Sequence, residues 1–170
     1  METPIPLSVV ILTKNEAGRI RDCIESVRWA DEILIVDDES TDDTVAIAKS
    51  LGARVLERTM DIEGRHRNWA YDQGKHDWVL SLDADERVTP ELAQEIAGLF
   101  RNGAPPYETY AIPRRNYIGT RWMRYGGWYH YHLVLFRRTL GRYEGLVHER
   151  LAVQGTIGVI EADLIHQPFS

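Results

Sequence analysis

Three apolar, β-branched runs constrain this chain more than anything else in it, because each ends in a polar turn and a helical period separates one from the next. The runs are Leu7–Leu12, Glu32–Val36 and the shorter Ala53–Leu56. A continuous apolar run bounded by turn residues suits a strand buried on both faces, as in a parallel sheet. The first intervening segment, about Ala17 to Val27, places Ile20, Cys23, Ile24 and Val27 at i, i+3, i+4 and i+7, one face of a helix. The second carries Val45, Ala48 and Leu51, with Thr41 or Asp42 available as its cap and Gly52 at its end. The resulting β-α-β-α-β order predicts an α/β fold built on a right-handed, mostly parallel sheet flanked by helices.

Further elements follow in the same style. A helix is expected from about Gly64 to Gln73, a strand over His76–Leu80, and a helix from Pro90 to about Phe100, with Leu92, Ile96, Leu99 and Phe100 as its apolar stripe. Asn102-Gly103-Ala104-Pro105-Pro106 is a break. Beyond it the pattern changes to short strands: Thr109–Pro113, His132–Phe136, Leu151–Val153 and Ile157–Ile160. No linker divides the two parts. We therefore expect one domain over 1–170, with a first half at 1–103 that has the pattern of a nucleotide fold and a smaller mixed half at 104–170 able to cover a site at its edge.

The chain has 170 residues, 44% of them hydrophobic and 27% charged, which is enough and balanced enough for a sizeable core. A net charge of -6 argues against a nucleic-acid partner, which calls for a basic face. One cysteine, Cys23, excludes an internal disulfide and a thiolate-rich zinc site, and its place on the first helix predicts a core role. The N-terminus lacks a basic signal-peptide region, and no run approaches the ~20 apolar residues of a membrane span. A soluble protein is expected, at most peripheral to a membrane.

The chemistry concentrates at Leu80-Ser81-Leu82-Asp83-Ala84-Asp85-Glu86. If the strand continues, Asp83 and Asp85 share a face; if a turn begins, they sit at the strand's carboxyl end. That end is where ligands bind in open α/β sheets. Two neighbouring carboxylates call for a cation, and hard divalent ions take carboxylates together with substrate phosphates. The plainer alternative is a polar loop in which Asp85 or Glu86 begins to cap the helix at Pro90. Asp37 and Asp38 end the second strand, so a parallel sheet brings both acidic pairs to one edge. Neither G-x-G-x-x-G nor a Walker loop follows the first strand, which disfavours a dinucleotide enzyme or a P-loop NTPase.

Several ordered strings carry a resemblance. SVVILTKNE, ILIVDDESTDDT and DWVLSLDADERVTPEL, then PRRNY, RYGGWY, LVLFRR and LVHERL, resemble family-2 glycosyltransferases of the GT-A fold, and more closely the bacterial subgroup with lipopolysaccharide-core glucosyltransferases. The resemblance implies roles. Thr13 and Asp38 would contact the donor's base and ribose, with Asp37 the alternate. Asp83 and Asp85 would form the D-x-D, Asp85 as the direct ligand of Mg²⁺ or Mn²⁺, and His166 would complete the metal or diphosphate site. Gly126 and Gly127 would form a loop beside the sugar and acceptor, with Trp128 next to it. Glu149 would be the catalytic base. Arg65 and Arg67 precede the D-x-D strand and could meet phosphates or simply face solvent. The segment Arg114 to Tyr129 could wall an acceptor, or its tryptophans could fill the core.

The activity so implied is inverting transfer of a sugar from a nucleotide-diphosphate donor, expected to be UDP-linked, to a saccharide or lipid-linked glycan of the cell envelope, in the cytoplasm or peripheral on the inner membrane. Two rivals stand beside it. A sugar nucleotidyltransferase would carry a glycine- and arginine-rich loop after the first strand, which Leu12-Thr13-Lys14-Asn15-Glu16 lacks. A non-catalytic sugar-nucleotide-binding module would not depend on Glu149. Two departures from the subgroup stand out: the doublet Asp37-Asp38 replaces the common VDSGS, and relatives continue past the final histidine.

Overall fold

The computed structural model describes residues 3–127, 129–145 and 150–167. Its centre is one sheet of ten strands with the path β3-β2-β1-β4-β8-β6-β12-β5. The apolar runs form the core of that sheet: β1 is Ile5–Thr13, β2 is Ala30–Asp37, β3 is Arg54–Glu57 and β4 is Trp78–Asp83. These four strands are mutually parallel, with Thr13 opposite Asp37, Asp37 opposite Glu57 and Leu12 opposite Asp83. Their carboxyl ends therefore share one edge. The next neighbour, β8 (His130–Arg137), runs antiparallel to β4, and β6 (Thr109–Ile118) is antiparallel to β8. The mixed part thus extends the same sheet.

Four further strands close around the rim. β5 (Glu86–Val88) pairs antiparallel with β12 (Leu164–His166), which lies parallel to β6. β7 (Arg121–Trp122) folds back on the end of β6, and β11 (Ile157–Val159) lies parallel to the start of β6. A separate ribbon joins β9 (Gly141–Glu144) to β10 (Arg150–Val153).

Helices α1 (Ile20–Glu25), α2 (Thr44–Ser50), α3 (Glu63–Asp72) and α4 (Pro90–Leu99) cover the sheet. Ile20, Cys23, Ile24 and Val27 are all fully buried, as their spacing predicts. So are Leu92 and Ile96 of α4, which begins at a Thr89 cap accepting the Leu92 N–H at 3.1 Å. The other face holds a smaller core around Tyr71, Val79 and Phe136, with the Tyr71 and Phe136 rings edge to face at 5.1 Å.

Some expected boundaries differ. α1 is shorter than the apolar period, because the segment before it bonds to another loop. The Asn15 N–H donates to Ser40 Oγ, Glu16 N–H to Thr44 Oγ1 and Ala17 N–H to Asp42 Oδ2. Those donors are spent across the rim, and Asn15 takes a left-handed φ of 54°. β6 runs five residues past the expected Pro113, because β12 and β7 supply partners for its second half. Among the described residues no helix is long and apolar enough to cross a membrane.

Candidate active site

The edge formed by the ends of β1, β2 and β4 gathers the predicted polar residues. Thr13 Oγ1 donates to Asp37 Oδ1 at 2.8 Å. Asp37 also accepts the Ser40 hydroxyl at 2.6 Å and the Ser40 N–H at 2.9 Å, and it is 1% exposed. Its carboxylate is thus used in tying two loops together. Asp38 is different. Its Oδ1 accepts the Met60 N–H at 3.0 Å and its Oδ2 lies 3.6 Å from Lys14 Nζ. Together with Thr13, Lys14, Met60, His66 and Arg67, Asp38 lines a cavity of about 280 Å³.

Arg67 forms one wall of that cavity. It projects from the inner face of α3, whereas Arg65 is exposed. Its Nη2 donates to Glu63 Oε1 at 2.9 Å and to Asp83 Oδ1 at 3.3 Å. Burial works against the guanidinium charge, but Tyr71, Asp83 and Tyr143 around it hold it firmly protonated.

The strand ends at Asp83 and a turn follows at Ala84-Asp85, so the two acids meet different partners. Asp83 faces Arg67. Asp85 Oδ2 lies 3.1 Å from His166 Nε2, and His166 Nδ1 lies 2.7 Å from Asn116 Oδ1. Burial alone would raise the Asp85 carboxyl, but the hydrogen bond and charge of His166 outweigh it and hold it below the usual range. The other oxygen, Asp85 Oδ1, is buried with no hydrogen-bond partner. With Asn116 as acceptor, Nδ1 carries the proton. Nε2 then meets the carboxylate either as an imidazolium donor or as a lone pair with a cation between them. A divalent metal fits that arrangement. Among the described residues no group of three metal-ligating side chains is assembled, so the protein would supply Asp85 and His166, and substrate oxygens the rest.

The residue after the D-x-D is the one that sequence reasoning undervalued. Glu86 does not cap α4; Thr89 does. Glu86 is 4% exposed, and its Oε1 accepts the Asp83 N–H at 2.8 Å while its Oε2 pairs with Arg114 Nη1 at 3.3 Å. Burial, with the charge of Asp83, pushes its carboxyl up to about 7. Glu86, Arg114 and His132 line a second cavity of about 100 Å³, bounded also by Arg67, Ser81, Asp83 and Tyr143. Only adjacency to the D-x-D could have drawn attention to Glu86. Nothing in the local pattern marks Asn116 or His132.

Strand β6 splits its own segment by alternation. Arg114 and Asn116 turn toward Glu86 and His166. Arg115 turns away, binding Asp163 at 2.5 Å and stacking on Trp122 at 4.4 Å. Arg124 also stacks on Trp122, at 4.1 Å, so that tryptophan is neither core nor part of the acidic rim. Gly126 and Gly127 both take left-handed φ values, 75° and 78°, a conformation that favours glycine. Trp128 and Glu149 lie outside the described residues.

A family model described as glycosyl transferase family 2 matches residues 8–166. An uncharacterized glycosyltransferase of Rickettsia bellii is 46% identical over 95 residues, covering 55% of this chain and 32% of the relative. The lipopolysaccharide core biosynthesis glycosyltransferase LpsC of Rhizobium meliloti is 30% identical over 162 residues, covering 91% of this chain and 60% of the relative. The chain thus spans between a third and three fifths of the length of these relatives. Among solved structures, S. aureus TarS 1-349 in complex with UDP-GlcNAc superposes with a TM-score of 0.70 at 16% identity, covering 98% of this chain and 59% of that one. Glucosyl-3-phosphoglycerate synthase from Mycobacterium tuberculosis, in complex with Mn²⁺, UDP and phosphoglyceric acid, gives 0.52 at 21% identity, covering 68% and 44%. At such identities the likeness concerns the fold, which is GT-A.

Proposed function

The chain belongs to glycosyl transferase family 2, and we propose that it transfers a sugar from a UDP-linked donor to a saccharide acceptor of a cell-envelope glycolipid, with inversion at the anomeric carbon. One observation carries this reading: the sheet edge presents, in order, a nucleoside-sized cavity at Asp38, an arginine on Asp83, and the Asp85–His166 pair. A nucleoside diphosphate needs those three things in that order. The absence of a glycine-rich phosphate loop agrees, since neutralisation then falls to side chains and a cation. The likeness to LpsC supports a core-glycolipid acceptor, and TarS, solved with UDP-GlcNAc, supports a UDP-linked donor.

In this reading Asp38 and Thr13 hold the nucleoside, and Arg67 binds the diphosphate. Asp85 and His166 would hold Mg²⁺ or Mn²⁺, which stabilises, as a Lewis acid, negative charge on a departing diphosphate. The acceptor hydroxyl attacks the anomeric carbon opposite the leaving group, with Gly126 and Gly127 flanking its approach. Its proton passes to a carboxylate, the role assigned here to Glu149. One C–O bond forms as the sugar–phosphate C–O bond breaks, and nucleoside diphosphate leaves. Acceptors of this class are met at a membrane surface, so peripheral association belongs to the same proposal.

The test is a thermal-shift panel of nucleotide sugars with and without Mn²⁺. A ligand that binds only the native state raises its apparent stability, about 2.7 kcal/mol at a hundredfold excess over Kd. A UDP-sugar is expected to raise Tm in the presence of Mn²⁺ and less without it. No metal-dependent shift with any nucleotide would refute the donor site. Transfer activity that survives Glu149→Gln would remove the base assignment alone.

A further inference from the structure

Strand β6 has two faces, and only one of them meets the acidic rim. Arg114 and Asn116 turn toward Glu86 and His166, so by alternation Pro113, Arg115 and Tyr117 lie on the reverse. Strand register adds to that reverse face. Tyr131 is opposite Pro113 and Trp122 is opposite Tyr117, and residues directly opposite in an antiparallel pair share a face. Tyr129 joins them, its ring 6.2 Å from that of Trp122 and its hydroxyl donating to Asp163 Oδ1 at 2.7 Å. Arg124 stacks on the same tryptophan, and Tyr125 follows it in the chain.

These rings face solvent. Tyr125 is 83% exposed, Tyr131 52% and Tyr129 39%, and Ile118 at the tip of the β6–β7 hairpin is 45% exposed. A tyrosine has an apolar body and a polar end, which suits the boundary between hydrocarbon and water.

The charge beside the rings is positive. Asp163 is already held, by Tyr129 on one oxygen and by Arg115 on the other. Among the described residues, Arg121 at the hairpin tip and Arg124 pair with no carboxylate, and both are exposed. A guanidinium is weakly hydrated and matches phosphate oxygens in a bidentate fork. The chain as a whole carries a net charge of -6, so an anionic surface repels most of it and attracts this face, which sets one orientation.

Resting on the acceptor reading above, we infer that the reverse face of β6, with β7, docks the protein on an anionic bilayer. Tyr125, Tyr129, Tyr131 and Ile118 settle at the headgroup level, and Arg121 and Arg124 bind lipid phosphates. The turn at Gly126 and Gly127 directly follows Tyr125, so docking brings to the membrane the place where a lipid-linked saccharide approaches. A second copy of this chain is the rival occupant. A two-fold pairing of this face, however, sets its unpaired arginines against themselves.

Co-sedimentation with vesicles tests this, using phosphatidylcholine alone and phosphatidylcholine mixed with phosphatidylglycerol. Wild type is expected to sediment with the mixed vesicles at low salt and to be released at high salt. Arg124→Ala is expected to lower the partition coefficient about fivefold, and Tyr125→Ala to lower it as well. Arg124→Lys keeps the charge and is expected to retain most of the binding. All three side chains are at exposed positions, so Tm should stay at the wild-type value. The inference is overturned if wild type does not sediment with the mixed vesicles, if it binds phosphatidylcholine alone equally well, or if neither alanine variant weakens binding. A wild-type dimer that Tyr125→Ala dissociates, with no vesicle binding, would assign the face to a second copy instead. The donor reading fails separately: wild type would then show no Tm shift with UDP and Mn²⁺, whatever its binding to vesicles.

Discussion

Asp37 and Asp38 are adjacent and identical in chemistry, yet the structure separates their work. Asp37 accepts from Thr13 and twice from Ser40, all within the rim. Asp37→Ala leaves those donors unpaired in a buried place, and about 1–3 kcal/mol of stability should be lost in chemical denaturation. Asp38→Ala should cost less stability and more UDP affinity, as calorimetry would register. Asp85→Asn removes charge from the proposed metal pair, and the Mn²⁺-dependent part of UDP affinity should fall on the order of tenfold or more, by analogy with the penalties for disturbing metal-site shells. A pH effect belongs to His132. Its folded-state pKa lies below the ordinary value, so between about 6.5 and 4 the unfolded chain takes up a proton that the native chain refuses. Stability from this group is present above that window and is lost as pH falls through it. The Tm of His132→Gln relative to wild type should therefore rise between pH 7 and pH 5; a flat difference would mean that the imidazole titrates normally. At this scale the acids of the D-x-D were legible, because a carboxylate pair at a strand end is a local pattern. Glu86, Asn116 and His132 were not, because each acquires its meaning from a partner 28 or more residues away or from a cavity that no local pattern reveals.

Among the elements, the long apolar runs became strands and the segments of helical periodicity became helices, since burial dictates both. The misses share one cause. α1 lost its first turn because the Glu16 and Ala17 N–H groups donate to Thr44 and Asp42, and the three-residue β5 exists because β12 pairs with it. Two substitutions probe how elements are held. Thr89→Ala removes the cap of α4 and the hydroxyl that donates to the Asp163 carbonyl at 2.9 Å. It should cost about 1 kcal/mol or somewhat more. Gly141→Ala would place a methyl 2.6 Å from the Phe136 ring, which is fully buried against Tyr71. Overpacking there should destabilise by about 1–3 kcal/mol, measurable as a lower denaturation midpoint with an unchanged slope.

At the scale of the whole molecule, charge and sheet join the two halves. Residues 109–143 contain seven arginines and no acid in a chain whose net charge is -6. Their partners lie largely outside that stretch: Arg114 meets Glu86, Arg115 meets Asp163, Arg142 meets Asp72, and Arg137 meets Asp77 and Glu108. The β4–β8 pairing crosses the same boundary within the sheet. We propose that residues 1–103 and 104–170 form one cooperative unit, and calorimetry should record a single transition with matching calorimetric and van't Hoff enthalpies. Two transitions would divide the chain at the Asn102–Pro106 break.

From residue order alone came the parallel strands, their helices and the acids at the strand ends, because alternation and apolar periodicity act over a few residues and are written locally. What the tertiary structure decided was which partners each acid meets. Asp37 is consumed by Thr13 and Ser40, Glu86 is buried against Arg114, and Asp85 keeps one oxygen without a partner beside His166. The physical reason is that a carboxylate's role depends on its solvation and its hydrogen-bond partners, and those arrive from strands far away in the chain.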